Sequence, residues 1–184
     1  EINQPNFLNT KHIIQQCKAN NYSAQLEVYN AYKNMMFGCA IRILKNRAEA
    51  EDIVQDSFIK GFEKIHQLTD ETNLGAWLKR IVVNKSLDAV KSRNKITWVD
   101  ETFILETESV EEDEVENGIS VDFVKRCINS LKEKYRIILI LYMIEEYNHR
   151  EIGELLNIKE STVRNQYKRG KDKLLSMIKK HQKV

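Results

Sequence analysis

HREIGELLNIKESTVRNQYKRGKDKLL, His149 to Leu175, reads as two helices joined by a tight turn. Ile152, Leu155 and Leu156 recur at the three- and four-residue steps of one helix face, which gives a short helix with an apolar stripe. Asn157 follows where the chain must turn left-handed, a conformation Asn tolerates better than most residues. Ile158 then plugs the turn. The next helix directs Val163, Tyr167, Leu174 and Ile178 inward and carries Arg164, Asn165, Lys168, Arg169 and Lys171 on the opposite side. Lys159 falls at its N-cap, where Ser or Thr would cap better. Two such helices, the second basic and amide-bearing, match the helix-turn-helix that lays its second helix in the major groove of DNA. Arg can fork onto guanine N7 and O6 there, and Asn can pair with adenine N6 and N7. Ser161 and Thr162 near the helix start suit a phosphate, because backbone N–H groups point outward at that end. From Lys159 onward stand nine bases and two acids, so binding to phosphates would be steeply salt-dependent.

Upstream of this pair, helices are expected at about 120–131 and 133–145, with 149–156 and 160–179 completing a C-terminal unit. The apolar run Ile137 to Ile144 (IILILYMI) is far shorter than the ~20 residues of a membrane span and reads as a buried core helix. Residues 99–118 (VDETFILETESVEEDEVENG) hold nine acids and no base, and end in the breaker Asn117-Gly118. Nearer the start, residues 7–18 form a short amphipathic segment broken at Asn20 and Asn21, with Ser23 placed to cap the next helix. That helix runs from Ala24 to about Lys45, with Leu26, Val28, Tyr29, Tyr32, Met36, Cys39, Ala40 and Leu44 on its buried face. A further helix runs from about Ala48 to Ile65, with Ile53, Val54, Phe58, Ile59 and Phe62 inward. A polar loop, 66–74, leads to a helix from about Gly75 to Asn94 that buries Trp77, Leu78, Ile81, Val82 and Leu87. The expectation is an all-α protein of two small helical domains, 1–96 and 119–184, joined by an acidic linker, 97–118.

Composition agrees with that reading. With 6 Gly, a single Pro and no β-branched run of period two, the chain offers little to build a sheet. The net charge of +2 conceals segregation: residues 1–98 hold 14 bases against 10 acids, and residues 119–184 hold 15 against 8. Two basic parts around an acidic strip suit a polyanionic partner. Cys17, Cys39 and Cys127 are odd in number and widely spaced, which points to free thiols in a reducing, cytoplasmic compartment. His12, His66, His149 and His181 have no metal-ligand spacing, so no metal or cofactor is expected. No signal peptide or membrane insertion is expected either.

Three stretches resemble a known family. LKEKYRIILILYMIEEYNHREIGELLNIKESTVRNQYKRGKDKLL resembles region 4 of the sigma-70 factors, with its EIxxxL and TVRxxxxRxxxxL pattern. AEAEDIVQDSFIKGFEKI, Ala48 to Ile65, is similar to region 2.2 of that family, and AWLKRIVVNKSLDAVKSR, Ala76 to Arg93, resembles the WLxxIxxNxxxDxxR run of its small extracytoplasmic-function (ECF) group. The length, with no stretch matching regions 1.1 or 3, fits that group. The resemblance implies a transcription initiation factor that binds the RNA polymerase core through the β′ clamp and β flap and reads promoter minus-35 and minus-10 elements. It places Asp52, Gln55, Asp56 and Phe58 against the clamp. It makes the 66–74 loop, with Leu68 and Asn73, the captor of a flipped minus-10 base beside Asn84, with Lys79, Arg80 and Lys85 on single-strand phosphates. Minus-35 recognition falls to Ser161, Thr162, Arg164, Asn165, Lys168, Arg169 and Lys171. Leu68 stands where several relatives carry an aromatic, so base stacking would be reduced. The acidic strip would thread the polymerase interior, and an anti-sigma factor is a further implied partner.

Two rival classes compete. An ordinary DNA-binding regulator with an unrelated helical domain would account for 149–175 but not for the AEDIVQDSF and WLKRIVVN runs. An enzyme would need a phosphate loop or a nucleophile–base pair, and the sequence offers neither.

Overall fold

The computed structural model describes residues 7–69, 73–93, 96, 98 and 120–182, the side chains of 7–9 and 182 excepted. The chain divides into two compact units, Glu1–Asn94 and Lys95–Val184, and no strand occurs among the described residues. Most of the acidic stretch expected as a linker lies outside them.

In the first unit, α1 (Phe7–Lys18), α2 (Tyr22–Leu44), α3 (Arg47–Lys64), a 3-10 turn (Ile65–Gln67) and α4 (Leu74–Arg93) follow in order. Asparagines set the boundaries. Asn20 takes the left-handed conformation after α1, and the Asn21 side chain accepts from the Ala24 N–H at 3.2 Å, capping α2. The cap expected at Ser23 is thereby corrected, since Ser23 lies inside the first turn. Lys45 turns the chain left-handed at the end of α2, and Asn46 caps α3 by accepting from the Glu49 N–H at 3.1 Å. This two-residue corner makes α2 and α3 neighbours, and α4 packs against both.

Their core is Val28, Met36, Cys39, Ala40 and Ile43 from α2, Ala50, Val54 and Phe58 from α3, and Leu78, Val82, Val83, Leu87 and Val90 from α4. Ile14 and Cys17 of α1 join it. Two serines, Ser57 and Ser86, are fully buried because each hydroxyl donates to a carbonyl of its own helix, Ile53 at 2.6 Å and Val82 at 2.7 Å. That bond removes most of the desolvation penalty of a buried hydroxyl. Arg93, at the end of α4, closes the unit with an ion pair to Glu49 at 2.9 Å. Two residues expected inward, Leu26 and Ile59, are instead exposed.

The second unit holds α5 (Val121–Ser130), α6 (Glu133–Met143), α7 (His149–Leu156) and α8 (Glu160–Gln182). Ser120 caps α5 through the Phe123 N–H. Ile137 to Leu141 are buried on every side, so α6 is the central rod that a helix apolar all round must become. Gly170 lets α8 cross α6 closely, since a Cβ there would lie 3.3 Å from the Tyr135 Cβ and 3.4 Å from the Leu139 side chain. Cys127 is buried in this unit, as Cys17 and Cys39 are in the first. Trp98 belongs with the second unit, where the Gln166 side chain of α8 donates to its carbonyl at 2.8 Å. No helix among the described residues is long and apolar enough to cross a membrane.

Candidate nucleic-acid interface

The turn between α7 and α8 is built from the backbone. Asn148 opens α7 with a capping box: its side chain accepts from the Glu151 N–H at 2.9 Å, and the Glu151 carboxylate accepts from the Asn148 N–H at 2.8 Å. At the other end Asn157 adopts φ 56° and ψ 47°, the left-handed turn expected of it. The Ile158 N–H then reaches back to the Gly153 carbonyl at 2.9 Å, and the Asn157 N–H to that of Glu154, which is a Schellman closure. Gly153 is obligatory here, because a Cβ would sit 2.8 Å from the Ile158 carbonyl oxygen. Neither the capping box nor this glycine was anticipated, although N-x-x-E before an apolar stripe and the lone Gly of EIGELL were visible signals.

On α8 the buried stripe is Val163, Gln166, Gly170, Leu174 and Ile178, with Tyr167 half-buried beside it. Ser161, Arg164, Asn165, Lys168 and Lys171 share the opposite, exposed face, and Thr162 and Arg169 sit half-buried on one flank. All seven residues expected to meet duplex DNA thus fall on one side or its margin. Arg164 is held within the helix: its Nε and Nη2 donate to Glu160 Oε1 at 3.1 and 2.6 Å. Behind this face the His149 ring stacks on Tyr142, with centroids 4.5 Å apart and planes 14° from parallel, and meets Tyr167 edge-on at 5.2 Å. Burial, and then the nearby Arg164 guanidinium, hold this imidazole below its ordinary 6.5 against the opposing influence of Glu160.

In the first unit, Asp52, Gln55 and Asp56 are exposed on α3 at helical spacing. Phe58 is not: it is 2 % exposed, its ring 4.8 Å from that of Tyr29 and 6.0 Å from that of Phe62. Its ring packs into the core of this unit. The exposed apolar groups are Ile59, one turn beyond Gln55, and Tyr22 and Leu26 of α2. With Gln25 and Tyr29 they border a shallow apolar groove whose lining includes Phe58. Leu26 and Ile59 were expected inward because helical period alone cannot separate an exposed apolar stripe from a buried one.

Of the residues expected near a flipped base, Leu68 is buried at 6 % exposure, and its N–H bonds to the Ile65 carbonyl at the end of the 3-10 turn. Burying this Leu stabilises the unit by about 1.5–3 kcal/mol. Asn73 is exposed just before α4, and residues 70–72 lie outside the described set. Arg80 and Asn84 are exposed on one face of α4, with half-buried Lys79 and Lys85 flanking it on opposite sides. Lys85 pairs with Asp56 across α3 and α4 at 3.6 Å. Among the described residues no group of side chains is arranged to hold a metal.

A capped helix-turn-helix with a basic outward helix, in a chain with a second helical unit, defines a DNA-binding protein. Its class is settled by comparison. Residues 28–96 match the family model for Sigma-70 region 2, and residues 124–174 that for Sigma-70 region 4. The chain belongs to the sigma-70 family of RNA polymerase sigma factors, in its ECF group. It is 28 % identical over 176 residues to the ECF RNA polymerase sigma factor SigW of Bacillus subtilis, covering 90 % of this chain and 94 % of that one. It is 24 % identical over 155 residues to SigM of the same species, covering 82 % and 93 %. Two solved structures share its fold at a TM-score of 0.54. One is the sigma factor RpoE with the anti-sigma factor NepR from Bartonella quintana, 24 % identical and covering 79 % of this chain and 91 % of that one. The other is CnrH with the cytosolic domain of CnrY, 17 % identical and covering 91 % and 95 %. Sigma factors are transcription initiation factors, not catalysts, and act with RNA polymerase in promoter recognition.

Two outcomes follow from the turn and the stacked histidine. Gly153→Ala should destabilise the chain by about 1–3 kcal/mol, the usual cost of overpacking, read as a lowered urea midpoint with little change in slope. Because folding lowers the affinity of His149 for a proton, the unfolded chain binds more protons just below about 6.5, so stability should fall as pH drops from that value. His149→Phe keeps the stack and should reduce that slope in melts run from pH 7.5 down to about 5; an unchanged slope would assign it to other groups.

Proposed function

We propose that this chain directs initiation as a two-site promoter reader. The observation that carries the reading is the exposed face of α8, with Ser161, Arg164, Asn165 and Lys168 at helical spacing on a helix whose angle is fixed by the Gly153–Ile158 closure. That helix enters the major groove of the minus-35 duplex, with Arg164, Asn165, Lys168 and Arg169 toward base edges, Ser161 and Thr162 toward phosphates, and Lys171 adding to the basic face. The region 2 unit, 1–96, holds the melted minus-10 strand, with Leu68, Asn73 and Asn84 toward the flipped base and Lys79, Arg80 and Lys85 toward phosphates. Asp52, Gln55 and Asp56, extended by the apolar groups of Ile59, Leu26 and Tyr22, dock on the β′ clamp, and the 119–184 unit meets the β flap. The 97–118 segment is the tether. The chain works in the cytoplasm and makes no membrane insertion. The sigma factor RpoE is solved in complex with the anti-sigma factor NepR, and the same class of partner is proposed here.

The test is initiation by purified core polymerase on a library of genomic fragments. Adding the chain alone should yield discrete transcript starts that share two upstream elements, and no starts above those of core would sink the reading. Asp56→Arg should abolish core binding while leaving the fold intact by circular dichroism. Arg169→Ala should weaken binding to the selected upstream duplex by about 1–3 kcal/mol.

A further inference from the structure

We infer that Glu160 is a positioning residue for DNA reading, its carboxylate fixing which edge of the Arg164 guanidinium meets a base. The inference rests on the assignment of α8 to the major groove. Glu160 opens α8 and Arg164 follows one turn later, so the pair is internal to the helix and travels with it to the DNA. Both residues are accessible, Arg164 at 66 % and Glu160 at 40 %, so the pair contributes little to stability. Its position nevertheless carries a penalty. From Lys159 onward there are only two acids, and this one stands on the turn of α8 that would approach phosphates first. A carboxylate there opposes every sequence equally.

What it provides is orientation. A guanidinium has five N–H groups. Glu160 Oε1 accepts one from Nε and one from Nη2, at 3.1 and 2.6 Å, which leaves the second Nη2 proton and both Nη1 protons on the far edge. That edge carries the two parallel donors that fork onto guanine N7 and O6. A released Arg164 could swing to the nearest phosphate, a contact without sequence information. Glu160 thus disfavours phosphate twice, by repelling the backbone and by holding the arginine away from it.

The experiment uses the full chain assembled with core polymerase and a pool of duplexes randomised across the upstream element, the bound fraction being sequenced. The unmodified chain should enrich guanine at one position, and Arg164→Ala should lose that preference. Glu160→Gln, which removes the charge, and Glu160→Asp, which keeps it but is one methylene too short, should each flatten that same position by roughly three- to tenfold and leave the others unchanged. Glu160→Gln should also raise affinity for unselected duplex. Full preference in both Glu160 variants, with Arg164→Ala still losing it, overturns the inference alone. Loss at all positions together with a lowered melting temperature assigns Glu160 a structural role and also overturns it. A pattern untouched by Arg164→Ala overturns the underlying assignment of α8 and this inference with it.

Discussion

The hydrogen bond from the Ile158 N–H to the Gly153 carbonyl fixes what this protein can present to DNA. It closes α7 with Asn157 left-handed, and it sets the angle at which α8 departs. Helix packing alone would leave that angle with the scatter usual for side-chain contacts. A backbone bond between residues five apart narrows it, and the missing Cβ of Gly153 is what lets the two segments come so close. With the angle set, the direction of every side chain on α8 follows from helical period. Val163 and Leu174 are buried, while Arg164 and Lys168 face out.

The same logic of backbone closure followed by surface chemistry governs the first unit. Lys45 and Asn46 turn α2 into α3 in two residues, which obliges the helices to lie side by side. Their shared core leaves one outward strip of α3 for Asp52, Gln55, Asp56 and Ile59. The pair between Asp56 and Lys85 sits where this strip meets α4, joining a group proposed for polymerase to one proposed for single-strand phosphate. An exposed pair of this kind is worth at most about 1 kcal/mol. It can therefore be exchanged for either partner without disturbing the core.

Much of this was legible in the sequence. Helix positions and the left-handed Asn157 follow from period and turn chemistry, which are local properties. Legibility failed where the decision was tertiary. Whether an apolar residue such as Leu68 or Phe58 is buried depends on neighbours far along the chain. Ile59 and Leu26 failed in the opposite sense, because an exposed apolar stripe has the same period as a buried one. Gln166 shows the limit most clearly. Helical period gave no signal for it, yet it is buried at 3 % exposure, and its amide donates to the Trp98 carbonyl, 68 residues away in sequence.

Placement of charge gives the last step. A protein that works by binding alone needs its free energy of recognition to come from surface groups, while its stability comes from elsewhere. Here the apolar cores hold each unit together, and the charged groups proposed for function are exposed or half-buried. Phosphate attraction scales with the number of such cations and ignores sequence, so affinity is easily gained and discrimination is not. The scarce acids on the DNA-facing side are therefore more informative than the abundant bases. Where a carboxylate persists beside an arginine on such a helix, its net effect on affinity is unfavourable, and what it can improve is the geometry of reading.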